Sequence, residues 1–294
     1  MEIAATAMDK VLENLASQPS PRWKTLAADK QRKQIEAELN SSAPKDGMMR
    51  VMTRMQFQEA PNLGEIDWES ELATFEQIEY PEYYLQPFHS VLGGWLSEIA
   101  AVGNRVAMEA VLENAHPRKS LGVRDEIAQL FPEDARQIID LGAGIGDDAA
   151  AIASRLPKAK ITAWEASPFM IVVGRHYHKD LANLRWQHGL AEKTELPDNS
   201  VDAINMTYLL HECPDRIKQT ILAECWRILT PGGLLVVTDS LPGDLYSYRG
   251  FFEPYKEQWL KIDPDRLLRE AGFIELKAYQ FAYSTWTRVG TKPE

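Results

Sequence analysis

From residue 137 onward, short apolar runs alternate with amphipathic stretches of helical spacing. Gln137-Ile138-Ile139-Asp140-Leu141 has the pattern of a buried strand, and Asp147 to Leu156 has apolar residues at helical intervals. The same alternation continues through a second strand (Ile161-Thr162-Ala163-Trp164-Glu165), a helix (Pro168 to Tyr177), a third strand (Leu184 to Gln187) and a fourth (Val201 to Met206). A helix from Pro214 to Ile228 and a fifth strand from Leu234 to Thr238 follow. Phe273 to Phe281 and Tyr283 to Val289 read as two closing strands. Strands that alternate with helices predict an α/β fold: a doubly wound, mostly parallel, seven-stranded sheet with helices on both faces.

The first part of the chain has a different character. Met8 to Leu15, Trp23 to Leu39 and Met48 to Phe57 have helical spacing, and the turn residues Ser41 to Gly47 interrupt them. The charge run from Asp29 to Glu38 fits a solvated helix face. An aromatic segment follows, Tyr80-Pro81-Glu82-Tyr83-Tyr84-Leu85-Gln86-Pro87-Phe88-His89. Gly93-Gly94 then leads into an expected helix from Trp95 to Glu113, and Val123 to Leu130 reads as one more. We divide the chain into residues 1–120, a helical addition serving as lid, substrate or dimerisation region, and residues 121–294, the α/β domain. No internal repeat is visible.

Composition narrows the function. Hydrophobic residues make up 45% of the 294 and charged residues 26%, which supports a packed core rather than disorder. The net charge of −11 opposes a phosphate backbone, so a nucleic-acid partner is not expected. No run approaches the roughly 20 apolar residues of a membrane span, and Met1 to Asp9 lacks the pattern of a secretory signal. Cys213 and Cys225 form neither a metal cluster nor a disulfide framework, and a reducing cytoplasm is the simple reading. His176, His178 and His188 form no metal constellation with an acidic run, and no metal is expected.

The first strand runs into Asp140-Leu141-Gly142-Ala143-Gly144-Ile145-Gly146-Asp147-Asp148. Glycines at a strand-to-helix turn let the backbone approach a ligand closely. A dinucleotide fingerprint would place Gly or Ala five positions after Gly142, where Asp147 stands. Asp147 and Asp148 would compete with a pyrophosphate for the helix N-terminus, which argues against NAD or FAD and favours a cationic cofactor without phosphate. Glu165, nineteen residues after Gly146, ends the second strand, where an acid is placed to accept from ribose hydroxyls.

These features together resemble the class I S-adenosylmethionine-dependent methyltransferases. Asp140-x-Gly142-x-Gly144-x-Gly146 is similar to their first motif, and Trp164 to Met170 to their ribose-binding strand end. Leu196-Pro197-Asp198-Asn199-Ser200-Val201-Asp202, Leu229-Thr230-Pro231-Gly232-Gly233 and Leu267 to Phe273 resemble further family segments, so the likeness covers about residues 125–294. The resemblance implies a Rossmann-like fold, S-adenosyl-L-methionine as cofactor and methyl transfer as the reaction. It places the cofactor at Asp140, Gly142, Ala143, Gly144, Gly146, Glu165, Ala166, Leu190, Ala191 and Asn205. In two places the chain departs from the family. Gly189-Leu190-Ala191-Glu192 stands where a Gly-Asp-Ala run is common, so adenine recognition would rest on backbone groups and apolar contact. Asn205-Met206-Thr207-Tyr208 lacks the paired prolines of enzymes that methylate exocyclic amines of bases or protein amides.

Methyl transfer to a hydroxyl benefits from a base at the carboxyl end of strand four. His211-Glu212 follows that strand and is similar in position to the His-Asp pair of plant-type O-methyltransferases; the alternative is that His211 caps the next helix. Tyr83, Tyr84, Phe88, His89 and Trp95 are candidates to hold the acceptor, beneath a lid or as the small core of the N-terminal region. Tyr208 and Tyr246 would line other walls. The expected function is a methyltransferase acting on a small molecule, at oxygen with His211 as base. Transfer to nitrogen or carbon by positioning, a methyltransferase-like binding protein without turnover, and action on a protein partner are the alternatives. A homodimer is compatible with the N-terminal addition.

Overall fold

The computed structural model describes residues 66–86, 88, 94–98, 100–105, 122–242, 253–281 and 285–294. The helices expected within Met8 to Phe57, and residues 99 and 106–113 of the one expected from Trp95 to Glu113, lie outside the described residues.

The seven strands are β1 (Gln137–Leu141), β2 (Lys160–Glu165), β3 (Leu184–His188), β4 (Val201–Thr207), β5 (Leu229–Ser240), β6 (Ile274–Tyr279) and β7 (Thr285–Thr291). They form one sheet in the order β3-β2-β1-β4-β5-β7-β6. β1 to β5 pair in parallel, and β7 runs antiparallel between β5 and β6. The expected fold class is what the chain adopts. The winding reverses between β1 and β4, and ligands of such sheets bind outside the carboxyl ends of the strands at that point.

The described helices are α1 (Trp68–Leu72), α2 (Val123–Ala128), α3 (Asp147–Arg155), α4 (Pro168–Tyr177), α5 (Asp215–Ile228), α6 (Lys256–Trp259) and α7 (Pro264–Glu270). Successive strand residues point to opposite faces, so each strand feeds two cores. Ile139, Leu141, Ile204, Met206, Leu235 and Val237 pack with Ile221, Leu222, Cys225 and Ile228 of α5 and with Leu267 and Leu268 of α7. Ile138, Ile161, Ala163, Ala203 and Val236 pack with α2 and α3 on the other face. Each fully buried large aliphatic side chain contributes about 1.5–3 kcal/mol.

Two elements differ from the sequence pattern for local reasons. Helix α1 is too short for periodicity to reveal; Asp67 starts it by accepting from the Ser70 amide at 3.2 Å. Strand β5 begins at Leu229, before its apolar run, because Leu229 already pairs with Val201. The turn expected at Leu229 to Gly233 is absorbed into this distorted strand start, where Gly232 adopts φ +73° and donates to the Lys292 carbonyl at 3.0 Å.

Candidate functional site

The cofactor side of the cleft is made largely of main chain. Between β1 and α3 the amides of Gly142 and Ala143 donate to the Trp164 carbonyl at 2.9 and 3.1 Å, which ties the loop to β2. The Gly144 amide donates to the Glu165 carboxylate at 2.8 Å. Gly144 (φ +55°) faces open space: a Cβ there would meet nothing nearer than Asn104 Oδ1, at 4.0 Å. Gly146 (φ +76°) is the opposite case, since its Cβ would lie 2.4 Å from the Trp186 ring. One glycine leaves room for a ligand and the other leaves room for the protein.

Glu165 is 7% exposed and also accepts from the Ser167 amide at 2.7 Å and from the Tyr84 hydroxyl at 3.4 Å. Burial pushes its pKa up, against the Ser167 and Gly144 hydrogen bonds, which lower it. Asp140 and Asn205 lie beneath the loop, bonded to each other at 2.8 Å, and Asp140 also accepts from the Ala149 amide at 3.1 Å. Both are sealed from solvent, so they brace the loop and the start of α3. Ala166 offers its carbonyl to the Tyr80 hydroxyl at 2.7 Å, and Leu190 and Ala191 follow the end of β3. The acids at the start of α3 are not the bare negative charge that the sequence suggests. Asp147 lies 2.6 Å from Arg105, 3.4 Å from Arg124 and 3.1 Å from His178, and Asp148 lies 3.4 Å from Arg124. Burial would raise the Asp147 pKa, but these partners bring it down to about 2. The charges are largely compensated, and the phosphate-repulsion argument loses most of its force.

The side of the candidate site that follows β4 is made of side chains. After β4 the chain passes through Tyr208 at φ +55°, a left-handed position held by its amide donating to the Thr238 carbonyl at 2.8 Å. A short 3-10 turn, Leu210–Glu212, then presents His211. The His211 ring meets the Asp239 carboxylate through Nδ1 at 2.7 Å, and its amide donates to the same carboxylate at 3.2 Å. His211 is 5% exposed and Asp239, near the end of β5, is 0% exposed. The ring's Nε2 lies 3.7 Å from Glu212 Oε1. Burial opposes charge on the ring, but Asp239, Glu212 and Glu253 outweigh it and raise the His211 pKa to about 9. One atom each of His211, Glu212 and Glu253 lies within 4.8 Å of the others, although Glu253 is remote in the chain.

The aromatic segment lies across the ends of β2, β3 and β4. Tyr83 donates to Glu192 at 2.7 Å, Tyr84 reaches Glu165, and Trp95 Nε1 donates to Glu212 at 2.6 Å. Phe88, 2% exposed, stacks on Trp95 with ring centroids 6.2 Å apart and leans on Tyr255 at 6.4 Å. Tyr83, Tyr84, Phe88 and Trp95 are thus packed against residues at the ends of these strands. Tyr208 meets the His211 ring edge-on at 5.9 Å. His89 and Tyr246 lie outside the described residues. Asp239, Glu192, Glu253 and Tyr255, and Trp259 with its ring centroid 6.5 Å from that of His211, lie at the candidate site without having been singled out in the sequence. Only Asp239 left a signal, as a carboxylate ending an apolar strand where ligands of such folds sit.

The residues present fit S-adenosylmethionine: a buried carboxylate fixed by two amides for the ribose, and open space above Gly144. Comparison with known proteins agrees. A family model described as a methyltransferase domain matches residues 138–233. The ubiquinone/menaquinone biosynthesis C-methyltransferase UbiE of Desulfotalea psychrophila is 32% identical over 116 residues, 40% of this chain and 46% of that protein. The demethylmenaquinone methyltransferase of Geobacillus kaustophilus is 27% identical over 196 residues, 56% of this chain and 83% of that one. The chain spans about half the length of most of the curated relatives it matches. The structure of human N-acetylserotonin methyltransferase with its cofactor superposes at a TM-score of 0.53 and 16% identity, covering 90% of this chain and 71% of that one, a likeness of fold. Residues 138–233 thus match a methyltransferase domain, carried on a Rossmann-like sheet.

Proposed function

We propose that the protein transfers the methyl group of S-adenosylmethionine to a hydroxyl oxygen of a small molecule, with His211 as general base. The observation that carries this reading is the 2.7 Å contact between His211 Nδ1 and the buried Asp239 carboxylate. An ionised Asp239 keeps the proton on Nδ1 and leaves Nε2 as the basic nitrogen. Nε2 takes the acceptor's proton, and Asp239, Glu212 and Glu253 stabilise the imidazolium that forms. The bound cofactor supplies an activated methyl group. Glu165 would hold the cofactor's ribose hydroxyls, while Asp140 and Asn205 keep the loop in shape. The strap residues Tyr80, Tyr83, Tyr84, Phe88 and Trp95, with the ring of Tyr208, enclose the acceptor and exclude water. The raised pKa has a cost: at pH 7 only about 1% of His211 is in the basic form, so turnover rises with pH.

A small acceptor suits the enclosed cleft and the net charge of −11 better than a nucleic acid does. A carbon acceptor is the second reading, favoured by the relatives named as quinone-pathway C-methyltransferases. Removing a phenol proton makes the ring carbon beside it nucleophilic, so the same base would serve. The test incubates the protein with methyl-labelled cofactor and a panel of phenols, catechols and hydroquinones, and locates the label by NMR. O-methyl products support the main reading. Ring-methyl products support the second. Labelling of amines alone would overturn both.

A further inference from the structure

We infer that Trp95 is a positioning residue of the acceptor site: its indole N–H holds one oxygen of Glu212 so that the other faces the His211 ring. The inference rests on the proposed role of His211 for its catalytic meaning, but its geometry stands by itself. Trp95 Nε1 donates to Glu212 Oε2 at 2.6 Å, the short distance of a charge-assisted hydrogen bond. Glu212 Oε1 is then 3.7 Å from His211 Nε2. The donor is itself held at both ends. The Trp95 carbonyl accepts from the Ser167 hydroxyl at 2.6 Å, and the Trp95 ring stacks on Phe88. The Ser167 amide in turn donates to Glu165. One strap residue therefore connects the strand end that would hold the ribose to the carboxylate beside the histidine. The strap does more than cover the cleft; it completes the charge arrangement around the base.

The charged and titratable groups facing His211 are Asp239 from β5, Glu212 from its own turn, Glu253 ahead of α6, and the Tyr208 ring. Asp239 is gripped by the amides of His211 and Ser240 and has no freedom to turn away. Glu212 is held at Oε2 by the Trp95 indole N–H. Without the indole donor, the Glu212 side chain turns toward water and the ring loses a nearby negative charge.

The test follows the His211 ring by nitrogen NMR in the full-length protein as pH is raised. Glu212→Gln should lower the titration midpoint by about 1 pH unit. Trp95→Phe keeps a ring stacked on Phe88 but removes the N–H, and it should move the midpoint in the same direction. The double variant should titrate no lower than Glu212→Gln alone, because Trp95 acts through Glu212. Because a lower midpoint leaves more of the imidazole unprotonated, Trp95→Phe should shift the rising limb of the kcat–pH profile to lower pH, with KM for the cofactor changed less than twofold. A wild-type midpoint in Trp95→Phe, or shifts that add in the double variant, would overturn the inference. Should Trp95→Phe fail to fold, the indole N–H resonance of Trp95 carries the test. It should move upfield in Glu212→Gln, and an unmoved resonance overturns the inference equally. A His211→Ala protein with full turnover would remove the base assignment and leave this coupling intact, so the two failures are distinguishable.

Discussion

On the β1 side of the cleft the groups that face a ligand are main-chain amides and one carboxylate, Glu165, whereas the β4 side presents an imidazole set among Asp239, Glu212 and Glu253. The first half is drawn from a short, nearly continuous stretch, Asp140 to Ser167. The second draws on Trp95, His211, Asp239 and Glu253, which lie far apart in the chain. The difference teaches how each half can fail. A backbone cradle fails when a side chain is added to it. A charge arrangement fails when one charge is removed, even if every shape is kept.

The largest effect should come from removing a charge without changing a shape. Asp239→Asn keeps the volume but lets the ring settle in the wrong tautomer. Steady-state kinetics should show kcat reduced by roughly 10²–10⁴-fold, while calorimetry finds S-adenosylhomocysteine bound as before. An activity within fivefold of wild type would mean that Asp239 only packs β5.

The cradle should break in two different ways. Gly146→Ala brings a Cβ to 2.4 Å from the Trp186 ring at φ +76°. Overpacking and left-handed strain together should cost about 2–5 kcal/mol of stability in urea denaturation. Gly144→Ala adds its Cβ to open space at φ +55°, so stability should fall only by about 1–2 kcal/mol. Cofactor affinity should suffer instead, because the methyl group occupies the cleft. If the two variants behave alike, the division of labour between the glycines is wrong.

Glu165→Ala should weaken the binding of S-adenosylhomocysteine by about 1.5–3 kcal/mol, the scale of hydrogen bonds to a charged group. Far-ultraviolet circular dichroism of the variant should match wild type. Unchanged affinity in a folded variant would remove the ribose assignment.

The smallest effect is a stability change with pH. The folded His211 pKa is raised from 6.5 to about 9, so the stability it contributes is fully present below pH 6.5 and is lost as pH rises through about 9. The melting-temperature gap between wild type and His211→Gln should therefore narrow between pH 6.5 and 9. A gap that widens over that range would reverse the sign of the shift. Turnover should move the opposite way, rising as the ring loses its proton.

The same contrast explains what could be read before the fold was known. The strand-helix alternation, the glycine turn and Glu165 are local patterns, and periodicity and spacing are local measurements. His211 was visible because it follows strand four by a few residues. Asp239 and Glu253 were not, since nothing in a linear reading shows that β5 lies beside β4 or that the residues before α6 fold back over the 3-10 turn. The Asp147-Asp148 pair misled for a related reason: Arg105 and Arg124, which compensate it, lie outside the motif that contains it. The aromatic segment was recognisable as unusual, but its partners Glu192 and Glu212 became visible only once three strand ends were brought together.

The central question is whether the imidazole held by Asp239 takes a proton during methyl transfer. The direct measurement is the single-turnover rate of methyl transfer to an accepted hydroxyl substrate, taken from pH 6 to 10, for wild type and His211→Ala. S-adenosylhomocysteine affinity is measured on the same samples. The wild-type rate should rise through about pH 9, as the His211 pKa requires. In the variant it should lie roughly 10²–10⁴-fold lower and lose that limb, with cofactor affinity unchanged. A folded variant that binds cofactor normally and turns over at close to the wild-type rate would contradict it.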